Sequence, residues 1–126
     1  MIDLKEVLKL HEIAIEKFGG LKGVRDQNLL DSAVKRPFVT FDGEDLYQTA
    51  EEKACAALES IVKNHPFHDG NKRTGYLVFR LYLLREGYDI QATQEEKYDF
   101  VLKIAAGEMK YDEIVAWTKQ KLVINS

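Results

Sequence analysis

His65, Asp69, Asn71, Lys72 and Arg73 fall within one polar stretch, His65-Pro66-Phe67-His68-Asp69-Gly70-Asn71-Lys72-Arg73-Thr74, set between two apolar runs. Their types suit phosphate chemistry. Lys72 and Arg73 belong to the expected first turn of the following helix, where the macrodipole is positive and a cation is disfavoured by ~0.3–1 kcal/mol. Such placement implies a bound anion. Backbone N–H groups free at the helix start, Gly70 permitting close backbone approach, the polar Asn71 and the two cations together form a phosphate cradle. Asp69 adds a hard oxygen ligand, the kind that holds Mg²⁺ jointly with substrate phosphates. An imidazole exchanges protons near neutral pH, so His65 is the candidate general base for an attacking hydroxyl. Phe67 is expected to anchor the loop in the core, and Pro66 to stiffen it. A connection without such a task would be short and neutral, because an unpaired buried polar group costs roughly 1–3 kcal/mol. The remaining histidines read differently: His11 as a packed residue on an apolar helix face, His68 as a surface loop residue. Lys103, Lys110, Lys119 and Lys121 read as solvated charges.

These side chains need rigid elements to hold them, and the hydrophobic spacing supplies helices. Leu4, Val7, Leu8, His11, Ala14, Ile15 and Phe18 share one helical face, with Asp3 at the N-cap position and Gly19-Gly20 as the stop. Asn28 to Arg36 forms a second, short helix, closed by Pro37 because the residue before proline is pushed out of the helical region. Phe38-Val39-Thr40-Phe41 is extended, the one strand-like run, and Asp42-Gly43 is a turn signal. A third helix is expected from Glu44 to about Lys63, with an apolar stripe running from Leu46 through Ala54 and Leu58 to Val62. A strongly apolar fourth helix from about Asn71 to Glu86, closed by Gly87, reads as central and buried. Thr93 and Glu96 make a capping box for a fifth helix with Tyr98, Val101, Ile104 and Ala105 inward. A sixth spans roughly Tyr111 to Leu122. The expectation is an all-α fold: a compact bundle of about six helices, with a central helix following the motif loop.

Bulk properties bound the function. A chain of 126 residues fits one domain, here 1–126. Hydrophobic residues at 45% and charged residues at 31% are a globular balance. A net charge of −3 argues against nucleic acid as a direct partner, which calls for a basic face. Cys55, the single cysteine, lies among alanines and leucine and reads as a buried, inert thiol. The acidic start Met1-Ile2-Asp3-Leu4-Lys5-Glu6 does not read as a secretory signal. The run Tyr76 to Leu84, interrupted by Arg80, is shorter than the ~20 residues of a membrane span. A cytoplasmic location without membrane contact is expected.

At the motif the sequence closely resembles the Fic/Doc family. That family's signature is a histidine, a phenylalanine two on, an acidic residue two further, then glycine, asparagine, a variable residue and arginine; His65, Phe67, Asp69, Gly70, Asn71 and Arg73 match it in order. The first helix ending in Phe18-Gly19-Gly20-Leu21, the chain length and the helix order resemble the death-on-curing (Doc) toxin branch. Most Fic enzymes have a second glycine after the asparagine and another arginine three residues beyond the first; here those positions are Lys72 and Tyr76. That too resembles Doc. The resemblance implies transfer of the γ-phosphate of ATP to a threonine hydroxyl of a protein target, elongation factor Tu in that branch, and so a block of translation. It implies His65 as base, Asp69 as Mg²⁺ ligand, and Gly70, Asn71, Lys72 and Arg73 as phosphate binders. No run resembles the inhibitory helix of many Fic enzymes, so control is expected from an antitoxin whose disordered tail folds on docking.

Rival readings stay open on the residues alone. Adenylyl transfer is the nearest enzymatic one, and Lys72 tips the balance toward the γ-phosphate. Metal-dependent phosphohydrolysis would draw on His65, His68 and Asp69 but lacks further ligands nearby. A catalytically silent module binding a nucleotide or partner is the third. The extended Phe38 to Phe41 run is a candidate docking strand for the target, by backbone pairing.

Overall fold

The computed structural model describes residues 1–125. Six α-helices in chain order, α1 (Leu4–Phe18), α2 (Gln27–Lys35), α3 (Ala50–Asn64), α4 (Asn71–Arg85), α5 (Gln94–Ala105) and α6 (Tyr111–Lys121), make the all-α architecture that the spacing predicts. Local chemistry sets their ends. Asp3 caps α1 in a capping box closed by Glu6, and Thr93 with Glu96 does the same for α5. Asp26 caps α2, which gives way to a short 3₁₀ turn, Arg36–Phe38, at Pro37.

Three expectations need correction. Phe38 belongs to the 3₁₀ turn, so the strand there is only β1 (Thr40–Phe41), paired antiparallel with β2 (Glu44–Asp45) across Asp42-Gly43. Both turn residues have positive φ, 53° and 80°, as a two-residue hairpin requires. Glu44 and Asp45 are thus used in the hairpin, and α3 starts later, at Ala50 behind its cap Thr49; Leu46 is exposed rather than on the stripe. Second, β3 (Tyr88–Ile90) pairs antiparallel with β4 (Leu122–Ile124), which ends α6 one residue early. Runs of three residues are too short to display alternation. Third, Tyr98 faces outward and is 66% exposed; the buried face of α5 is Phe100, Val101 and Ile104, with the Phe100 ring stacked 3.7 Å from that of Trp117.

α3 and α4 form the centre. Their approach is close enough that a Cβ on Gly75 would come within 2.8 Å of Val62 Cγ2, so the small residue there is a packing requirement. Leu58, Ile61, Val62, Phe79 and Leu83 are buried between them and their neighbours, each contributing ~1.5–3 kcal/mol on burial. α4 also packs on α1, α5 and β3, so the helix carrying the cationic turn is held on several sides. Cys55 is fully buried, its thiol donating toward Thr118 Oγ1 at 3.2 Å and pushed up to about 12 by burial, as expected of an inert packing residue. No helix of the described residues is long and apolar enough to cross a membrane.

Candidate active site

α3 terminates on His65 in the left-handed conformation, φ 50° and ψ 59°, unusual for a residue with a side chain and costing roughly 1–2 kcal/mol. The reversal sends Pro66 and Phe67 into the core, where Phe67 is 1% exposed. A second segment holds them there. The Pro66 carbonyl accepts the N–H groups of Arg25 (2.7 Å) and Asp26 (3.1 Å), His68 N–H donates to Gly23 O, and Val24 forms an antiparallel bridge with Phe67. Asn71 closes the loop from the other end: its Oδ1 accepts Phe67 N–H and its Nδ2 donates to Phe67 O, both at 3.0 Å. That amide, expected on a phosphate, is largely buried and engaged within the loop. What it secures is the loop geometry.

Asp69 is oriented by backbone. Its Oδ1 accepts Gly70 N–H at 3.0 Å and its Oδ2 accepts Leu21 N–H at 3.2 Å. Gly20 makes room: with φ 123° and only 2.8 Å between a built Cβ and Asp69 Oδ2, no larger residue fits without displacing the carboxylate. Each oxygen keeps a lone pair for a cation, since an ionised carboxylate accepts at about four positions. His11, buried on α1, donates from Nε2 to the Asp69 carbonyl at 2.9 Å, a contact that fixes its tautomer because a carbonyl can only accept. Packing was the expected fate of His11; its hold on the motif loop was not.

α1, α2, α3 and α5 each begin on an Asp or Thr whose side chain accepts a first-turn N–H. α4 begins instead on Gly70, with φ 74° and no side-chain cap. Lys72 and Arg73 occupy that uncapped first turn and are exposed, as the spacing predicts. The Arg73 guanidinium lies 3.8 Å above the ring of Phe18 at the end of α1. Stacking uses the face of the guanidinium and leaves its in-plane N–H donors free for an anion.

One cavity of about 850 Å³ opens over these residues. His65, Asp69, Gly70, Asn71, Lys72 and Arg73 all line it, so the six motif residues singled out for chemistry converge on the same space. The volume is of the size that takes a nucleotide-like ligand. Tyr76, one turn into α4, also lines it; its hydroxyl is buried without a partner and burial pushes the phenol up to about 12. Lys97 and Tyr98 of α5 line the cavity as well. Sequence reasoning missed both, along with Phe18 as a support for Arg73. An exposed aromatic next to a lysine on a helix surface carries no signal until the tertiary fold faces it toward the motif.

Among the described residues there is no cluster of three or more His, Cys, Asp or Glu side chains that could hold a metal ion by themselves. Asp69 is thus one carboxylate without a neighbouring ligand set of protein side chains among the described residues.

The comparisons with known proteins agree with this geometry. The Fic/DOC family model matches residues 1–83, which carry the motif, its supporting loop and most of α4. The chain is 37% identical over 117 residues to the Toxin Doc of Mycolicibacterium smegmatis (strain ATCC 700084 / mc(2)155), covering 91% of this chain and 88% of that protein. It is 27% identical over 113 residues to the protein kinase doc of Escherichia phage P1, covering 90% and 88%. The family model that spans the motif and its supporting helices, together with 37% identity to a Doc toxin over most of both chains, places this chain in the Fic/DOC family.

Proposed function

We propose that this chain is a Doc-like toxin that transfers the γ-phosphate of ATP to a threonine hydroxyl of a protein target, elongation factor Tu being the first to test. The observation that carries the reading is the convergence of an exposed imidazole, a backbone-oriented carboxylate and two cations on an uncapped helix N-terminus around one cavity. His65 takes the proton of the target hydroxyl, and the freed oxygen bonds to the γ-phosphorus. The bond from that phosphorus to the β,γ-bridging oxygen breaks, and ADP leaves. Gly70 and the first-turn N–H groups, with Lys72 and Arg73, hold the phosphates and neutralise charge developing on the leaving oxygen, the main source of catalysis in phosphoryl transfer. Asn71 keeps the loop in shape for this. Mg²⁺, held by Asp69 and the phosphates, would supply further neutralisation of that charge.

Lys72 and Tyr76 favour the γ-phosphate over adenylyl transfer. A long cation stands where most Fic enzymes have a second glycine, and a neutral phenol where they have the far arginine. The β1–β2 hairpin, with Val39, Phe41 and Leu46 exposed around it, is the docking edge for the target segment. Toxicity in the cytoplasm would be restrained by an antitoxin whose tail folds on this chain, as the likeness to a protein named Toxin Doc suggests.

The test is to incubate the purified chain, Mg²⁺ and a bacterial extract with ATP labelled at either the α- or the γ-phosphate. Label from the γ-position on an acceptor protein is expected. Label from the α-position would make it an adenylyltransferase, and absence of turnover with intact ATP binding a silent binding module.

A further inference from the structure

We infer that Arg25, which lies outside the motif and does not line the cavity, is the positioning residue for His65. Its Nε donates to the His65 carbonyl at 2.6 Å and its Nη2 to the Asn64 carbonyl at 2.8 Å. A guanidinium is thus forked across the two carbonyls at which α3 ends and the chain reverses. Both oxygens belong to the C-terminal end of a helix, where carbonyls lack intrahelical partners and a cation is favoured. The left-handed backbone of His65 is otherwise held by one bond of its own, His65 N–H to Ile61 O at 3.3 Å. Arg25 is itself fixed. Its N–H donates to Pro66 O, and the next residue, Asp26, caps α2 by accepting Leu29 N–H, so the guanidinium is delivered from a rigid helix start. In consequence α2, which contributes no side chain to the cavity, sets the direction of the His65 imidazole through one arginine.

A purely structural C-cap would give the same hydrogen bonds, so the test needs a readout that stability alone does not move. This inference rests on His65 acting as the base of the proposed reaction. Arg25→Ala and Arg25→Lys are made in the full chain and studied by single-turnover label transfer, ATP titration and the NMR signals of the His65 ring, identified by their loss in His65→Gln. With Arg25→Ala, kcat is expected to fall about 10- to 100-fold through misplacement of the base, with KM for ATP held within about twofold. Methylguanidinium should restore a large part of the loss. Arg25→Lys, which keeps charge but not the fork, should fall between the two and serves alone should the alanine variant not fold. The His65 ring signals should shift or broaden in both. Unchanged His65 signals in a folded variant, or turnover that follows only the folded fraction and ignores methylguanidinium, would overturn the inference. Should the wild-type chain show no transfer, the proposed reaction fails by itself, and the NMR comparison decides the role of Arg25.

Discussion

The imidazole of His11 lies flat on the ring of Phe67, with 3.8 Å between centroids and 6° between planes. The same imidazole donates to the Asp69 carbonyl. One residue of α1 therefore grips the motif loop at its buried anchor and at its carboxylate residue, which ties the first helix to chemistry that lies 58 residues further along the chain.

Removing that grip should cost both stability and activity. His11→Ala loses a stacked pair, its buried area and a hydrogen bond, and should destabilise the fold by ~2–4 kcal/mol in urea unfolding. His11→Phe keeps the stack and loses only the bond to Asp69, so it should cost less than half as much. Equal losses in the two variants would show that the stack contributes little.

Gly20 is expected to control the carboxylate. Gly20→Ala puts a methyl 2.8 Å from Asp69 Oδ2, too close for the carboxylate to stay in place, and asks alanine to adopt a φ of 123°. A strain of roughly 1–3 kcal/mol follows, and the displaced carboxylate should raise the Mg²⁺ concentration for half-maximal label transfer by about tenfold, corresponding to ~1.4 kcal/mol of lost binding. A Mg²⁺ titration of the two proteins checks this; an unchanged midpoint would mean that Asp69 is not a cation ligand.

Phe18 is about half exposed and contributes little to the core, yet it carries Arg73. Phe18→Ala should leave the melting transition nearly unchanged while weakening ATP binding about two- to fivefold, the equivalent of ~0.5–1 kcal/mol for an exposed cation–π contact. Phe18→Trp should bind at least as well as the natural residue. Calorimetric titration with ATP and Mg²⁺ measures both.

Acid should loosen the contact between α5 and the end of α6 through Glu96. The Lys121 ammonium 2.7 Å away, together with the Thr93 cap, holds its carboxyl down at about 2, against an ordinary 4.5. A depressed folded-state value means that the stabilisation is fully present above about 4.5 and is lost as pH falls toward 2. Glu96→Gln keeps a capping side chain and removes the charge. Its melting temperature should lie below that of the natural chain at pH 7 and converge on it near pH 2; a constant difference would place the effect in the cap.

The site was legible in sequence because its residues are neighbours. A phosphate cradle built on one loop and one helix start keeps its chemistry within a short span, and the cations in the first turn of α4 are visible as a violation of helix electrostatics. The helix caps at Asp3 and Thr93 were legible for the same local reason. What stayed hidden depends on distant partners. Nothing in the local sequence pairs Arg25 with the carbonyls of Asn64 and His65, or places Tyr98 on the cavity wall rather than in the core. Lys121, read as solvated, is paired with Glu96, a contact between α5 and the end of α6 that no periodicity encodes. Asn71 had the right type for a phosphate donor, and the folded chain engages its amide on Phe67 instead.

The most direct measurement compares label transfer from γ-labelled ATP by the natural chain and by His65→Ala in a single turnover, with both proteins saturated with ATP and Mg²⁺ and shown to be folded. His65 is exposed and outside the core, so nucleotide binding and melting should be unchanged, while transfer should fall by about 100-fold or more, the usual contribution of a positioned base. Transfer by the alanine variant within a few-fold of the natural chain would contradict the assignment of His65 as the base, and with it the proposed chemistry of the cavity.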